Sequence, residues 1–300
     1  MSAGARPLGR AAFLEAELRE ALAEPALELR SAEPVGGGCI HHALRLRTSK
    51  GEWFAKWNDD CAPDLFLSEA AGLRALREAG SPLRIPEVLV ARGPAGDRPA
   101  FILMEYLAPG PGRAGDDELL GRGLAAIHAR PAPGFGFPVT SYCGPTPQDN
   151  REAGTWSEFY AERRLRPLVS RLDEEGRLGR SERDLFERLI ARVPQLVATD
   201  ERPSLIHGDL WSGNVLETAL GPGLVDPACA ACDRETEFGI TTLFGGFSDR
   251  FFAAYHEALP LASGWRERNP LYQLYHLLNH QLIFGGHYGR EAVRVARRYV

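Results

Sequence analysis

The chain has 300 residues, 44% hydrophobic and 25% charged, which supplies apolar material for a sizeable core and charge for a water-facing surface. Its 35 Lys and Arg stand against 40 Asp and Glu, a formal net charge of -5 with no basic stripe, which argues against a nucleic-acid partner. Met1 to Arg10 has no apolar leader pattern, no apolar run approaches the ~20 residues of a membrane helix, and five scattered cysteines (Cys39, Cys61, Cys143, Cys229, Cys232) argue against a disulfide framework, so a cytoplasmic protein with reduced thiols and no membrane partner is expected.

Along the chain, Ala11 to Ala23 carries Phe13, Leu14, Leu18 and Leu22 at helical spacing, and Leu27 to Val35 reads as a strand. The run Gly36-Gly37-Gly38 forces a turn. Ile40 to Leu46 and Trp53 to Trp57 then read as paired strands about Ser49-Lys50-Gly51. Phe66 to Leu76 has helical spacing and ends near Gly80, while Ile85 to Val90 and Ala100 to Leu107 are apolar enough for two more strands. The Pro- and Gly-rich stretch Pro109 to Gly115 marks a boundary, beyond which helices are expected over Glu118 to His128, Trp156 to Leu172, Arg183 to Val197, Glu235 to Phe247 and Leu271 to Phe284. Short strands at Leu205-Ile206, Leu216 and Leu224-Val225 surround a polar segment. The expected fold is α+β with two lobes: residues 1–107, an antiparallel β lobe with one long helix that binds nucleotide and ends in a hinge, and residues 108–300, a larger, mainly helical lobe holding the catalytic and substrate-binding groups.

The sharpest motif is His207-Gly208-Asp209-Leu210-Trp211-Ser212-Gly213-Asn214, followed by Val225-Asp226-Pro227. Its Asp-to-Asn spacing equals that of a protein-kinase catalytic loop, where the Asp accepts a hydroxyl proton and the Asn holds magnesium; Asp226 falls where a second metal ligand belongs. Phosphoryl transfer needs such a set because phosphate charge must be neutralised by metal while one carboxylate orients the attacking hydroxyl. The plainer alternative is a polar turn in which Asp209 caps and Asn214 adopts a left-handed conformation.

Lys56 lies on the strand face opposite Ala55, and Glu69 opens the next helix, so the two are positioned to pair as a kinase phosphate clamp; alone, each reads as a surface charge. Gly36, Gly37 and Gly38 match neither a P-loop nor a complete G-x-G-x-x-G, since His41 stands at the last glycine, yet between two strands their bare backbone could approach nucleotide phosphates. Met104, Glu105 and Tyr106 would form the hinge, offering main-chain groups to adenine. Cys39 in the glycine loop is a candidate for oxidation. Cys229 and Cys232 have the spacing of a zinc or redox pair, but lack the second pair that a four-ligand site needs.

From Gly36 onward these motifs resemble the fructosamine kinase family, whose hallmark is the octapeptide at His207 to Asn214. Further matches are Phe135-Gly136-Phe137, Thr146-Pro147-Gln148 with Asn150, Arg234-Glu235, Leu243 to Phe247, and Tyr272 to Tyr275 continuing through Leu278-Asn279-His280. The chain departs from the family pattern at His41-His42 and at Cys229-Ala-Ala-Cys232. The resemblance implies ATP and Mg2+ as cofactors, Asp209 as base, Asn214 and Asp226 as magnesium ligands, Lys56 with Glu69 as clamp, and Glu237 as a brace beneath the catalytic loop. It also implies a ketosamine, free or carried on a glycated amine or protein, as the partner that is phosphorylated at a sugar hydroxyl. Tyr272, Tyr275, His276, Asn279 and His280 share one helix face, and with Trp211 as an apolar wall they could read sugar hydroxyls; a buried polar network bracing the C-terminal helices is the competing reading. A kinase for another small alcohol (aminoglycoside, choline or homoserine type) and a nucleotide-binding pseudokinase remain open on the same fold.

Overall fold

Alternation builds the first lobe. In β2 (His42–Thr48) the buried residues are Leu44, Leu46 and Thr48, while Arg45 and Arg47 point the other way. Strand β1 (Leu29–Pro34), β2, β3 (Gly51–Asn58), β4 (Val88–Arg92) and β5 (Ala100–Glu105) form an antiparallel sheet in the order β1-β2-β3-β5-β4. The computed structural model describes residues 11–36, 41–197 and 202–300.

Each face of the sheet takes a helix. Leu14 and Leu18 of α1 (Ala11–Ala21) pack with Leu44, Leu46, Ala55, Trp57, Phe101 and Leu103 on one side. Phe66, Leu73 and Leu76 of α2 (Leu65–Glu78) pack with Ile102 and Met104 on the other. Lys56 is paired in register with Ala43 and Ile102, so it shares the α2 side, one pleat away from Ala55. That register decides what the lysine can reach.

The second lobe is mostly helical. Helix α3 (Asp116–His128) crosses α8 (Asp249–Ala258) so closely that a Cβ on Gly121 would lie 2.3 Å from the Phe251 carbonyl oxygen. A hairpin of β6 (Ser141–Cys143) and β7 (Thr146–Gln148) precedes a long helical segment made of α4 (Trp156–Glu158), a π-helical stretch at Phe159–Leu165, and α5 (Arg166–Glu174). With α6 (Arg180–Leu196), α9 (Trp265–Phe284) and α10 (Tyr288–Ala296), these bury Trp156, Tyr160, Phe186 and Leu274 in one core. Between the lobes, β8 (Ser204–Ile206) pairs with β11 (Ala230–Cys232), and β9 (Val215–Leu216) with β10 (Gly223–Leu224); α7 (Glu237–Phe244) runs beneath them.

Several expectations need adjustment. The fourth strand starts at Val88, not Ile85, because Ile85 is buried against α2 while its carbonyl accepts from Arg77. The helix expected over Trp156 to Leu172 contains the π-helical turn, the one expected from Glu235 begins at Glu237 after a 3-10 turn at Arg234–Thr236, and the one expected from Leu271 begins at Trp265 with Pro270 in its first turns. Strand β2 is described from His42. Gly37, Gly38, Cys39 and Ile40 lie outside the described residues, together with the redox expectation for Cys39.

Candidate active site

The loop after β8 carries Asp209, and its shape is dictated by Gly208. At φ +82 that residue needs the left-handed freedom of glycine, and a Cβ there would sit 2.1 Å from the Ala228 carbonyl oxygen. Glu237 holds the loop from below, accepting the N–H groups of His207 at 2.5 Å and Gly208 at 2.9 Å. Burial alone would raise the Glu237 carboxyl, but its bond from His128 and the charges around it keep it below its ordinary value, so it stays ionised. His207 spans the site: Nδ1 accepts from the Asp209 N–H, and Nε2 faces the Val225 carbonyl at 2.9 Å. One imidazole therefore ties the Asp209 loop to the strand that leads into Asp226.

Asn214 donates Nδ2 to the Asp209 carbonyl at 2.8 Å and to its carboxylate at 3.3 Å. Its nitrogen being committed, the amide oxygen is the atom left for a cation. Asp226 adopts φ +57, uncommon for a residue other than glycine though Asp tolerates it better than most, with its side chain 49% exposed. Lys56 Nζ lies 2.7 Å from Asp226 and 2.7 Å from Glu69, which joins the sheet, α2 and the second lobe at one ammonium. Burial disfavours the ammonium, but the two carboxylates more than offset that and raise its pKa. For Asp226 burial again opposes ionisation, and Lys56 holds the group below its ordinary range; Glu69, sealed from water, is pushed up to about 6 by burial against the pull of Lys56. The donor set, one carboxylate and one amide oxygen beside a cationic clamp, suits a hard divalent cation with phosphate oxygens.

His41 stands beside this clamp. It pairs with Asn58 at 3.0 Å and meets the Phe66 ring edge-on at 5.2 Å, and burial followed by the Lys56 charge lowers it to about 4, so it is neutral near pH 7. At Gly36 a Cβ would meet nothing within 4 Å among the described residues. Of the expected hinge, Met104 is 2% exposed in the core, and the Glu105 N–H is already given to the Glu87 carbonyl at 2.8 Å, while its carboxylate holds Arg84 at 2.6 Å. Strand register has thus spent the Glu105 N–H on Glu87. The Tyr106 ring lies under the Arg45 guanidinium at 4.6 Å.

On the other side of Asp209 stand groups from distant elements. Cys143 Sγ, at the end of β6, is 3.8 Å from Asp209 Oδ1, and an imidazole nitrogen of His276 on α9 lies within 4.8 Å of both. Asn279 donates to the Cys143 carbonyl at 3.2 Å, and Tyr275 receives a bond from Gln148 at 2.7 Å. His276 Nδ1 and Asn279 Oδ1 are buried without a hydrogen-bond partner among the described residues. His280, also expected to face substrate, turns its Nδ1 to the His276 carbonyl and packs against Phe244, Phe284 and Tyr288; Tyr272 turns into the core to Asp233. Trp211 is 40% exposed, and its ring covers Gly213, where a Cβ would meet it at 2.2 Å. Burial, then the charge of Asp226, pushes Asp209 up to about 7. Sequence reasoning missed Cys143 as a neighbour of Asp209, although the Gly144-Pro145 turn signal marks the hairpin that delivers it.

The fructosamine kinase family profile matches residues 14–300. The chain belongs to the fructosamine kinase family. Among curated relatives of this family member, a chloroplastic protein-ribulosamine 3-kinase of Oryza sativa subsp. indica is 37% identical, covering 92% of this chain and 80% of its own. A probable ketoamine kinase of Vibrio parahaemolyticus is 38% identical over 86% of this chain and 88% of its own. A crystal structure of a candidate fructosamine-3-kinase from Thermobifida fusca superposes with a TM-score of 0.84 at 35% identity, covering 95% of this chain and 97% of the other. An aminoglycoside phosphotransferase solved with ADP and hygromycin B gives a TM-score of 0.62 at 15% identity over 95% and 98%, a likeness of fold. This fructosamine kinase family member thus has the protein-kinase-like α+β fold and is a small-molecule kinase, with ATP use implied by the family. Among the described residues no helix is long and apolar enough to cross a membrane.

Proposed function

We propose that the protein uses Mg-ATP to phosphorylate a ketosamine, such as a ribulosamine or fructosamine, at the 3-hydroxyl of its sugar, which leads to release of the free amine. The observation that carries this reading is the nearness of Asp209 to a ring nitrogen of His276 and to Cys143, whose carbonyl Asn279 holds, with His276 Nδ1 and Asn279 Oδ1 buried and unpartnered among the described residues, on a chain whose curated relatives are ketoamine and ribulosamine kinases. A sugar offers several hydroxyls, and buried acceptors left without partners are what such a ligand satisfies.

In this reading Asp209 orients the acceptor hydroxyl and takes its proton as the bond to phosphorus forms. Its raised pKa suits that task, because a carboxylate titrating near 7 is a better base than one titrating near 4. Lys56, fixed by Glu69, holds the nucleotide phosphates. Asn214 and Asp226 would hold Mg2+, which supplies charge neutralisation for the phosphates when bound. Gly36, with Gly37 and Gly38 that lie outside the described residues, keeps the phosphate-binding role expected from the sequence, and the main chain of the hinge at Met104, Glu105 and Tyr106 reads adenine. Trp211 walls the acceptor side, and Tyr275 with Gln148 supports it. Residues 1–107 act as the nucleotide-binding lobe and 108–300 as the catalytic and substrate lobe. The setting that belongs to this reading is the cytoplasm, where ATP and Mg2+ are at hand.

An ATP-consumption screen over ribulosamines, fructosamines, erythrulosamines, aminoglycosides and choline tests the reading. Stimulation by ketosamines well above the others is expected; turnover on an aminoglycoside with none on any ketosamine would overturn it.

A further inference from the structure

Cys143, Asp209 and His276 come from a hairpin, a loop and a helix that are far apart in sequence, and they bring one sulfur, one carboxylate oxygen and one imidazole nitrogen to within 4.8 Å of one another. They are the group of metal-binding side chains that converges in this way among the described residues. Cys143 and His276 are 3% and 3% exposed, and neither Nδ1 of His276 nor Oδ1 of Asn279 beside it has a partner among the described residues. Cys143 is fixed on both sides, its thiol directed to Asp209 Oδ1 and its carbonyl held by Asn279.

We propose that these three side chains form a binding site for a thiophilic divalent cation such as Zn2+, and that its occupation blocks phosphoryl transfer. A sulfur, a nitrogen and an oxygen are the ligand set of zinc, and three protein ligands with one open position is the pattern of an accessible zinc site. Magnesium does not compete there, since it demands octahedral oxygen ligation and avoids sulfur. Tetrahedral zinc spreads its ligand atoms about 3.5 Å apart, so the group needs to close by about 1 Å, within the reach of side-chain rotation. On binding, the thiol proton leaves to solvent as the sulfur–zinc bond forms. The imidazole gives its lone pair, and the Asp209 carboxylate binds as it stands. Nothing is oxidised or reduced. The His276 imidazole is suited to ligation because burial keeps it neutral, lowered to about 3.

Inhibition follows because the oxygen that would receive the acceptor proton is then on the metal. This second half rests on Asp209 being the base, whereas metal binding does not, so the two can fail separately.

The test is titration of Co2+ into the full-length protein without nucleotide, followed by the near-ultraviolet thiolate-to-cobalt band, with Zn2+ used to compete it away. The wild type should show the band. Cys143→Ser should abolish it, and His276→Gln should weaken cobalt affinity roughly 100-fold. Cys39→Ser, Cys61→Ser and Asp226→Asn should retain it, and circular dichroism verifies that each variant is folded. No band in the wild type, persistence in Cys143→Ser, or loss in Asp226→Asn would overturn the site. In the kinase assay with excess Mg2+, Zn2+ should inhibit the wild type and a zinc-selective chelator should restore it. Binding through Cys143 without inhibition would overturn the inhibitory claim.

Discussion

On the nucleotide side of the cleft, Lys56 meets Glu69 and Asp226 at 2.7 Å each, so its charges are paired before any ligand arrives. On the acceptor side, His276 Nδ1 and Asn279 Oδ1 are buried with no partner among the described residues, and Asp209 is held near neutrality by burial. The first region strands buried charge when Lys56 is lost, because two carboxylates share that one ammonium. The second carries a desolvation cost that a polyhydroxylated ligand relieves. Removing a group should therefore harm stability on one side and substrate recognition on the other.

Lys56→Met should break the comparison hardest. It strands Glu69 away from water beside Asp226, so denaturant unfolding should show a loss of about 3 kcal/mol, and Mg-ATP binding by calorimetry should vanish. Adding Glu69→Gln should recover part of that stability without recovering nucleotide binding. Full stability in the single variant would mean that the pair is not the clamp that joins the lobes.

Asn279→Ala should act on the other side, raising the KM for ketosamine about 5- to 100-fold while leaving the KM for ATP and the unfolding midpoint nearly unchanged. A large loss of stability instead would show that Asn279 serves the helix packing, through its bond to the Cys143 carbonyl.

The smallest effect is a matter of pH. Asp209 titrates near 7 in the fold against about 3.9 in an unfolded chain, so between these values the native state holds more protons. Stability conferred by the protonated form is thus present at low pH and declines as pH rises towards 7. Asp209→Asn should raise the melting midpoint at about pH 8 and leave it unchanged at about pH 4. In the wild type, kcat/KM should rise with pH through about 7, because the base must be ionised.

The same contrast explains what could be read from the sequence. The nucleotide side follows local rules: strand alternation separates Lys56 from Ala55, Glu69 sits one turn into α2, and Asp209 to Asn214 is a single contiguous loop. Helix α8 carries a legible start signal as well, Ser248 accepting the Phe251 N–H with Asp249 after it, although it is not among the helices expected from the sequence. The acceptor side depends on packing between segments more than 60 residues apart, Cys143 against Asp209 at a separation of 66, and no local period reports that. The engaged N–H of Glu105 depends on the register of β4 against β5, which a bulge between Val88 and Val90 shifts. On α9, a shared face was readable, but not that Tyr272 turns into the core and His280 against Phe284.

The division of labour itself is tested most directly by titrating Mg-ATP calorimetrically into Asp209→Asn and Asp226→Asn, beside steady-state rates on a ketosamine. Asp209→Asn should bind nucleotide nearly as the wild type does while kcat falls roughly 100- to 10,000-fold, and Asp226→Asn should lose binding and turnover together. If Asp209→Asn loses nucleotide as badly as Asp226→Asn, or keeps a near wild-type kcat, then Asp209 is not the base of the acceptor side.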